Sequence, residues 1–249
     1  MIPPLIQAKN LRKKFASSVA LKNVSLLVNT GETVCLVGQN GAGKSTLIHL
    51  LAGLIYPNSG EVSVFGLDRW KESYEIRKRS IVVPAEPPIG STYCPYDYLK
   101  LISQVYGLSA DEFQSRLHQL SPKLNYTQHL KKRWHELSLG LGKKAALLGA
   151  FIAPVELRIF DEPFAGGIDP LGMEVLYEWF AESKQRGETI LFSTQVLDQA
   201  EAVSDRIVLL NQGEVTLDGS PAEFIKKAGT ESEKRPLYKA FVNLTGKQE

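Results

Sequence analysis

Apolar positions along the chain follow two different periods, and the change between them divides it. The N-terminal part reads as β-rich and leads into the apolar run TVCLV, a predicted strand, followed by a glycine-rich stretch and the apolar helix LIHLLAGLI. After Pro57-Asn58-Ser59-Gly60, the period-two alternation of EVSVFG predicts a strand returning on a hairpin. From about Pro87 to Pro154 strand signals vanish. Leu and charged residues recur there at helical spacing, in YDYLKLISQVYGL and ADEFQSRLHQL, which predicts a mostly helical insertion. Beyond Pro154 strands and helices alternate again: LRIFDEP, a helix from about Pro170 to Gln185, TILFST, another helix, the hairpin RIVLLNQGEVTLDG and a closing helix. Strands separated by helices imply a parallel sheet covered on both faces, an α/β fold.

Composition narrows the picture. With 249 residues, 43% of them apolar, the chain can bury a substantial core. The net charge of +2 is a small difference between 29 basic and 27 acidic residues, so no electrostatic case exists for a nucleic-acid partner. The basic runs Lys131-Lys132-Arg133 and Lys143-Lys144 read as solvated helix faces. Cys35 and Cys94 are the only cysteines, which fits a reducing compartment. His49, His118, His129 and His135 have no metal-ligand spacing and read as surface or packing residues, and Trp70, Trp134 and Trp179 as anchors of the core or a subdomain. No apolar run approaches the ~18 to 20 residues that span a bilayer, and MIPPLIQAKNLRKKF lacks the core of a signal peptide. These features predict a cytoplasmic protein; if it works at a membrane, another chain does the spanning.

The candidate chemistry begins at TVCLVGQNGAGKST, a strand running into G-x-x-x-x-G-K-S. Gly38, Gly41 and Gly43 let successive N–H groups form an anion nest that faces the positive end of the following helix. In such a loop Lys44 reaches the outer phosphates of a nucleoside triphosphate and Ser45 offers its hydroxyl to Mg²⁺. A second feature lies far along the chain in Leu157-Arg158-Ile159-Phe160-Asp161-Glu162-Pro163. A strand ending in two acids sets both at the carboxyl edge of a parallel sheet, where ligands of such sheets bind. There Asp161 would hold Mg²⁺ through water and Glu162 would polarise the attacking water.

Taken in order, GQNGAGKST, LSLGLGKK and FDEP resemble the nucleotide-binding subunits of ATP-binding cassette (ABC) transporters, and the resemblance runs from about Leu5 to Gly246. It implies a P-loop NTPase core with an N-terminal antiparallel β region and an inserted helical subdomain. One cassette would fill residues 1–249: core 1–86 and 155–228, helical subdomain about 87–154, tail 229–249. It implies an ATP site made by Gly38, Gln39, Asn40, Gly41, Ala42, Gly43, Lys44, Ser45 and Thr46, with Phe15 stacking on adenine. Leu137-Ser138-Leu139-Gly140-Leu141 matches the family's LSGGQ signature, so Ser138 and Gly140 would meet the γ-phosphate of an ATP held by a second cassette. Gly166-Gly167-Ile168-Asp169 resembles the loop that crosses the interface of that head-to-tail dimer.

The sequence departs from the family pattern at three places. Leu139 and Leu141 replace a Gly and the Gln of the signature. Ala85, beside Glu86, stands where the family has a glutamine that contacts Mg²⁺ and senses the membrane partner. Gln195 stands for a histidine that contacts the γ-phosphate; an amide donates one hydrogen bond but carries no charge, which implies intact binding and slower hydrolysis. The expected protein is an ATPase subunit at the cytoplasmic face of a membrane, working as a homo- or heterodimer beneath integral membrane subunits. Its tail LYKAFVNLTG resembles that of drug, antibiotic and polysaccharide export ATPases. Two alternatives remain open at this point: an impaired ATP-switch subunit of a heterodimer, and a soluble cassette acting on ribosomes or DNA.

Overall fold

A strand buried on both faces needs a partner on each edge and cover above and below, and Thr33–Val37 (β3) has all four. It runs parallel to both Thr189–Thr194 (β8) and Arg206–Asn211 (β9). The computed structural model describes residues 3–16, 18–86 and 93–245. It continues this sheet from β8 through Leu157–Phe160 (β7) to Ser80–Val83 (β6), all parallel, and from β9 to the antiparallel Glu214–Gly219 (β10). The β9–β10 hairpin turns on Gln212-Gly213, at φ 49 and 80, the double positive φ that matches the twist of a two-residue connection.

A second, four-stranded sheet is antiparallel: Ile6–Phe15 (β1) lies between Ser18–Val28 (β2) and Ser59–Val64 (β4), and Leu67–Asp68 (β5) pairs with β4. The alternating EVSVFG segment is thus a strand, but its hairpin is the short one with β5 across Phe65-Gly66. Its long partner is β1, from the other end of this region.

Period-two alternation decides which side chain serves which core. Val34 and Leu36 of β3 face a cluster completed by Leu47, Ile48, Leu50 and Leu51 of Lys44–Leu51 (α1) and by the antiparallel sheet. Cys35 and Val37 face the opposite cluster, shared with Phe160, Ile190 and Phe192. That second cluster also holds the helical part of the chain: Pro95–Val105 (α2), Ala110–Leu120 (α3) and Leu139–Ile152 (α4). Their starts are specified locally. Ser109 and Glu112 form a reciprocal capping box on α3, and the Ser138 hydroxyl caps α4. The chain continues with Pro170–Gln185 (α5), Leu197–Val203 (α6), Pro221–Ala228 (α7) and Pro236–Thr245 (α8). A further short helix, Ser73–Lys78, precedes β6. The single closing helix expected from the sequence is therefore a pair, α7 and α8, packed together.

α4 overturns one expectation. Lys143 and Lys144 are not a solvated face: they are 3% and 4% exposed, on a helix buried nearly all round. Each ammonium is instead held by oxygens of its surroundings, as a buried charge must be. The run Lys131-Lys132-Arg133 is exposed as expected.

Arg158, inside the otherwise apolar β7, closes the end of α4, which stops ahead of Pro154. Its guanidinium donates to the carbonyls of Ala150, Ala153 and Val155 and to the Glu188 carboxylate, so acceptors left over by the last turn of α4 are satisfied by a strand. Burial pushes the guanidinium pKa down to about 10 against the pull of Glu188, and Phe151 stacks beside it. Breaking a buried pair of this kind costs about 3–5 kcal/mol. Arg158→Ala should therefore lower stability by about that much in urea titration, and Glu188→Gln by less because the three carbonyl bonds remain. A loss below ~1 kcal/mol for Arg158→Ala would show that the α4 carbonyls find water instead.

Candidate functional site

Parallel strands deliver their following residues to one edge, and the candidate residues gather there. β3 passes into Gly38, whose Cβ, if present, would lie 2.4 Å from the Leu210 carbonyl oxygen. Gly43 caps α1 at φ 107 with no side-chain hydrogen bond to the helix N–H groups, and a Cβ there would meet the Ala20 carbonyl at 2.7 Å. Both positions exclude any larger residue, so the loop keeps its N–H groups free of covering side chains. Lys44, the first residue of α1, folds back and is buried. Its ammonium donates to the carbonyls of Gly38 at 2.7 Å and Gln39 at 3.3 Å and lies 3.6 Å from Glu162 Oε1. Two motifs distant in sequence thus share one charge pair.

The acids after β7 are held by a residue that sequence reasoning missed. The Ser193 hydroxyl, wholly buried on β8, donates to Asp161 Oδ1 at 2.5 Å and accepts from the Glu162 N–H at 2.9 Å. Phe160 pairs with Phe192, so the register places Ser193 beside the first residue past β7. Glu162 has φ 49, in the left-handed region that a non-glycine residue occupies at a cost, and the Ser193 bond fixes its amide there. The only sequence signal for Ser193 is a polar residue in the apolar strand TILFST.

Gln195 is exposed just past β8, on the rim of a cavity of about 440 Å³ that it lines with Gly38, Gln39, Asn40 and Phe241. Thr194, before it, donates its hydroxyl to Gln199 and accepts from the Val196 N–H, which shapes the entry to α6. On the opposite side Ala85 and Glu86 follow β6, with the Lys143 ammonium 2.9 Å from the Ala85 carbonyl oxygen and 3.2 Å from that of Asp161. Burial pushes the Lys143 amine down to about 8, while Asp161, Glu162 and Glu86 pull it up.

The other candidates lie apart from this cluster. Phe15 ends β1 as a 45% exposed ring with the Lys13 ammonium 5.0 Å from its centroid, so it is not a core residue. Ser138 and Leu139 are exposed, and among the described residues no hydrogen bond or ion pair joins them to Lys44 or Glu162. Gly140 packs against the Gly166-Gly167 turn so closely that a Cβ would sit 2.3 Å from the Gly167 carbonyl oxygen. Asp169 spends both carboxylate oxygens within its own chain: one caps α5 at the Gly172 N–H and the other accepts from Lys144 at 2.7 Å, which holds its pKa below the usual range. Ser45 on the first turn of α1 and the acids at the sheet edge offer only oxygen donors, a set suited to Mg²⁺ together with phosphate oxygens and water. A glycine-rich loop at a helix start, a buried lysine, two acids and hard oxygen donors can bind a nucleotide phosphate chain and activate water beside it.

The chain is similar to known proteins. Residues 21–165 match the ABC transporter domain family. The ABC-type transporter ATP-binding protein EcsA of Bacillus subtilis (strain 168) is 32% identical over 225 residues, covering 90% of this chain and 91% of that protein. The linearmycin resistance ATP-binding protein LnrL of the same organism is 28% identical over 225 residues, covering 90% and 72%. A solved structure described as the ATP binding subunit of an ABC transporter superposes with a TM-score of 0.88 at 32% identity, covering 97% of this chain and 99% of the other. With its phosphate loop, paired acids and mixed α/β architecture, the chain belongs to the ABC transporter family as an ATP-binding subunit.

Proposed function

We propose that this subunit hydrolyses ATP in a head-to-tail pair with a second cassette, at the cytoplasmic face of a membrane, and that closing and reopening of the pair drives export through separate integral membrane subunits. The observation that carries the reading is the 3.6 Å pair between Lys44 and Glu162, which joins the phosphate loop to the acid that would polarise water. The N–H groups from Gly38 to Thr46 cradle the phosphates, Phe15 offers its exposed ring to the base, and Gln195 donates to the γ-phosphate from the cavity rim. Ser45 and Asp161 would hold Mg²⁺, which when bound neutralises phosphate charge. The exposed Ser138, with Gly140 behind it, would serve the ATP of the partner cassette, and the Gly166–Asp169 loop would lie at the interface between them. The core would comprise residues 1–86 and 155–228, with 87–154 as the helical subdomain and 229–249 as the tail. Among the described residues no helix is long and apolar enough to cross a membrane, so the spanning part would come from other chains. The export direction is supported by LnrL, whose name records resistance to linearmycin.

Lys44→Ala should abolish binding of a fluorescent ATP analogue, because the lysine contacts phosphate before and during the reaction. Glu162→Gln should bind normally and stop phosphate release, since the carboxylate acts only when water attacks. Equal turnover in wild type and Glu162→Gln would remove Glu162 from that role.

An ATP-switch reading, in which a partner hydrolyses and this chain only binds, is favoured by the neutral amide of Gln195 and the bare methyl of Ala85. Gln195→His tests whether the glutamine is a defect. If the glutamine merely slows a working site, the imidazole should raise turnover of the isolated chain about tenfold, equivalent to ~1.4 kcal/mol of transition-state stabilisation. No gain would mean that the pocket is built for glutamine.

A further inference from the structure

Lys143 joins α4 to the exits of β6 and β7, beyond the end of the ladder that pairs those two strands. It projects from α4, which Ser138 caps, and its ammonium ends between two strand exits, accepted by the carbonyls of Ala85 after β6 and Asp161 after β7. The last ladder pair of β6 and β7 is Val83 with Phe160, followed by one bond from the Asp161 N–H to the Val83 carbonyl. Beyond that point, among the described residues, no backbone hydrogen bond joins the two exits, and the lysine bridges them. Ala85 has no polar side chain, so only its backbone can be gripped there, and Lys143 takes its carbonyl.

The charge around the bridge explains why a cation is tolerated in so buried a place. Asp161 and Glu162 face Lys143 from the end of β7 and Glu86 faces it from the segment after β6. Lys44 approaches the same acids from α1. Two lysines and three carboxylates thus share one edge of the sheet, and each lysine is fixed by two carbonyl oxygens rather than by a carboxylate alone. Charge-assisted bonds to fixed carbonyls are directional, so the ammonium sets where both exits lie.

We propose that Lys143 is a positioning residue for ATP hydrolysis: by holding the carbonyls of Ala85 and Asp161 on one ammonium, it fixes the segment after β6 against the paired acids and ties both to the helix that begins at Ser138. The proposal rests on the hydrolytic reading above. Lys143 acts through the Asp161 backbone and the neighbouring Glu162. A shift of α4, or of whatever presses on Ala85 and Glu86, is then passed to the acid that activates water.

Lys143→Met keeps an unbranched side chain, one atom shorter, and removes both bonds; Lys143→Arg keeps charge and donors; Lys131→Met, on the exposed run, controls for loss of one positive charge. Amide hydrogen exchange of peptides covering residues 80–86, without nucleotide, reads the bridge directly. Turnover and the Kd of a fluorescent ATP analogue read its effect. Lys143→Met should speed exchange in that segment about tenfold, lower kcat by about ten- to a hundredfold and change Kd by less than about threefold. Lys143→Arg should recover much of both, and Lys131→Met should match wild type. Melting curves check that each variant is folded; if Lys143→Met is not, Lys143→Gln carries the same comparison. Unchanged exchange, or kcat and Kd impaired to the same degree, would overturn the role. A wild type without turnover would overturn the hydrolytic reading and this role together, whereas a working wild type matched by Lys143→Met would overturn this role alone.

Discussion

Parallel pairing of β6, β7, β8 and β3 is the constraint on which the rest depends. Because these strands run in one direction, each releases its next residues at the same edge, and Ala85, Asp161, Gln195 and Gly38 become neighbours without any of them being close in sequence. Register then sets the detail. A slip of one residue between β7 and β8 would turn the Ser193 hydroxyl to the other face and leave Asp161 and the Glu162 amide without their shared partner. Burial of both faces of the sheet makes that slip expensive, since it would also exchange the residues of two apolar clusters.

The second organising element is α4, a helix whose surroundings convert its polar residues into structural ones. Ser138 caps its start, Lys143 and Lys144 anchor two loops, Gly140 accepts a backbone against itself, and Arg158 closes its far end from a neighbouring strand. The helical part of the chain and the parallel sheet are consequently joined by buried charge as well as by the aromatic packing of Phe151, Phe160, Trp179 and Phe180. An apolar contact would permit sliding between them, while hydrogen-bonded cations fix the relative position.

Sequence pattern carried the strands and helices far because most of them announce themselves locally: β3 by an apolar run, α3 by the helical spacing of ADEFQSRLHQL, the β9–β10 hairpin by RIVLLNQGEVTLDG. The phosphate loop was legible for the same reason, its chemistry being contained in consecutive residues. What pattern does not carry is the partner of a polar residue distant in the chain. Lys143-Lys144 looks identical in sequence to an exposed pair, and only the cover supplied by neighbouring elements makes it buried. Arg158 and Ser193 were hidden likewise, each a single polar residue in a strand whose meaning lies in acceptors brought from elsewhere. The long partner of β4 was missed because it lies across the whole phosphate-loop segment.

Glu162 occupies a backbone conformation that suits glycine better than any side chain with a Cβ. A search for a more robust fold would therefore select glycine there, gaining relaxation of the backbone and losing the carboxylate that faces Lys44. Under the proposed hydrolytic role of Glu162, robustness and reactivity are in conflict at this one residue, and a thermally improved version of the protein has to find its gains elsewhere.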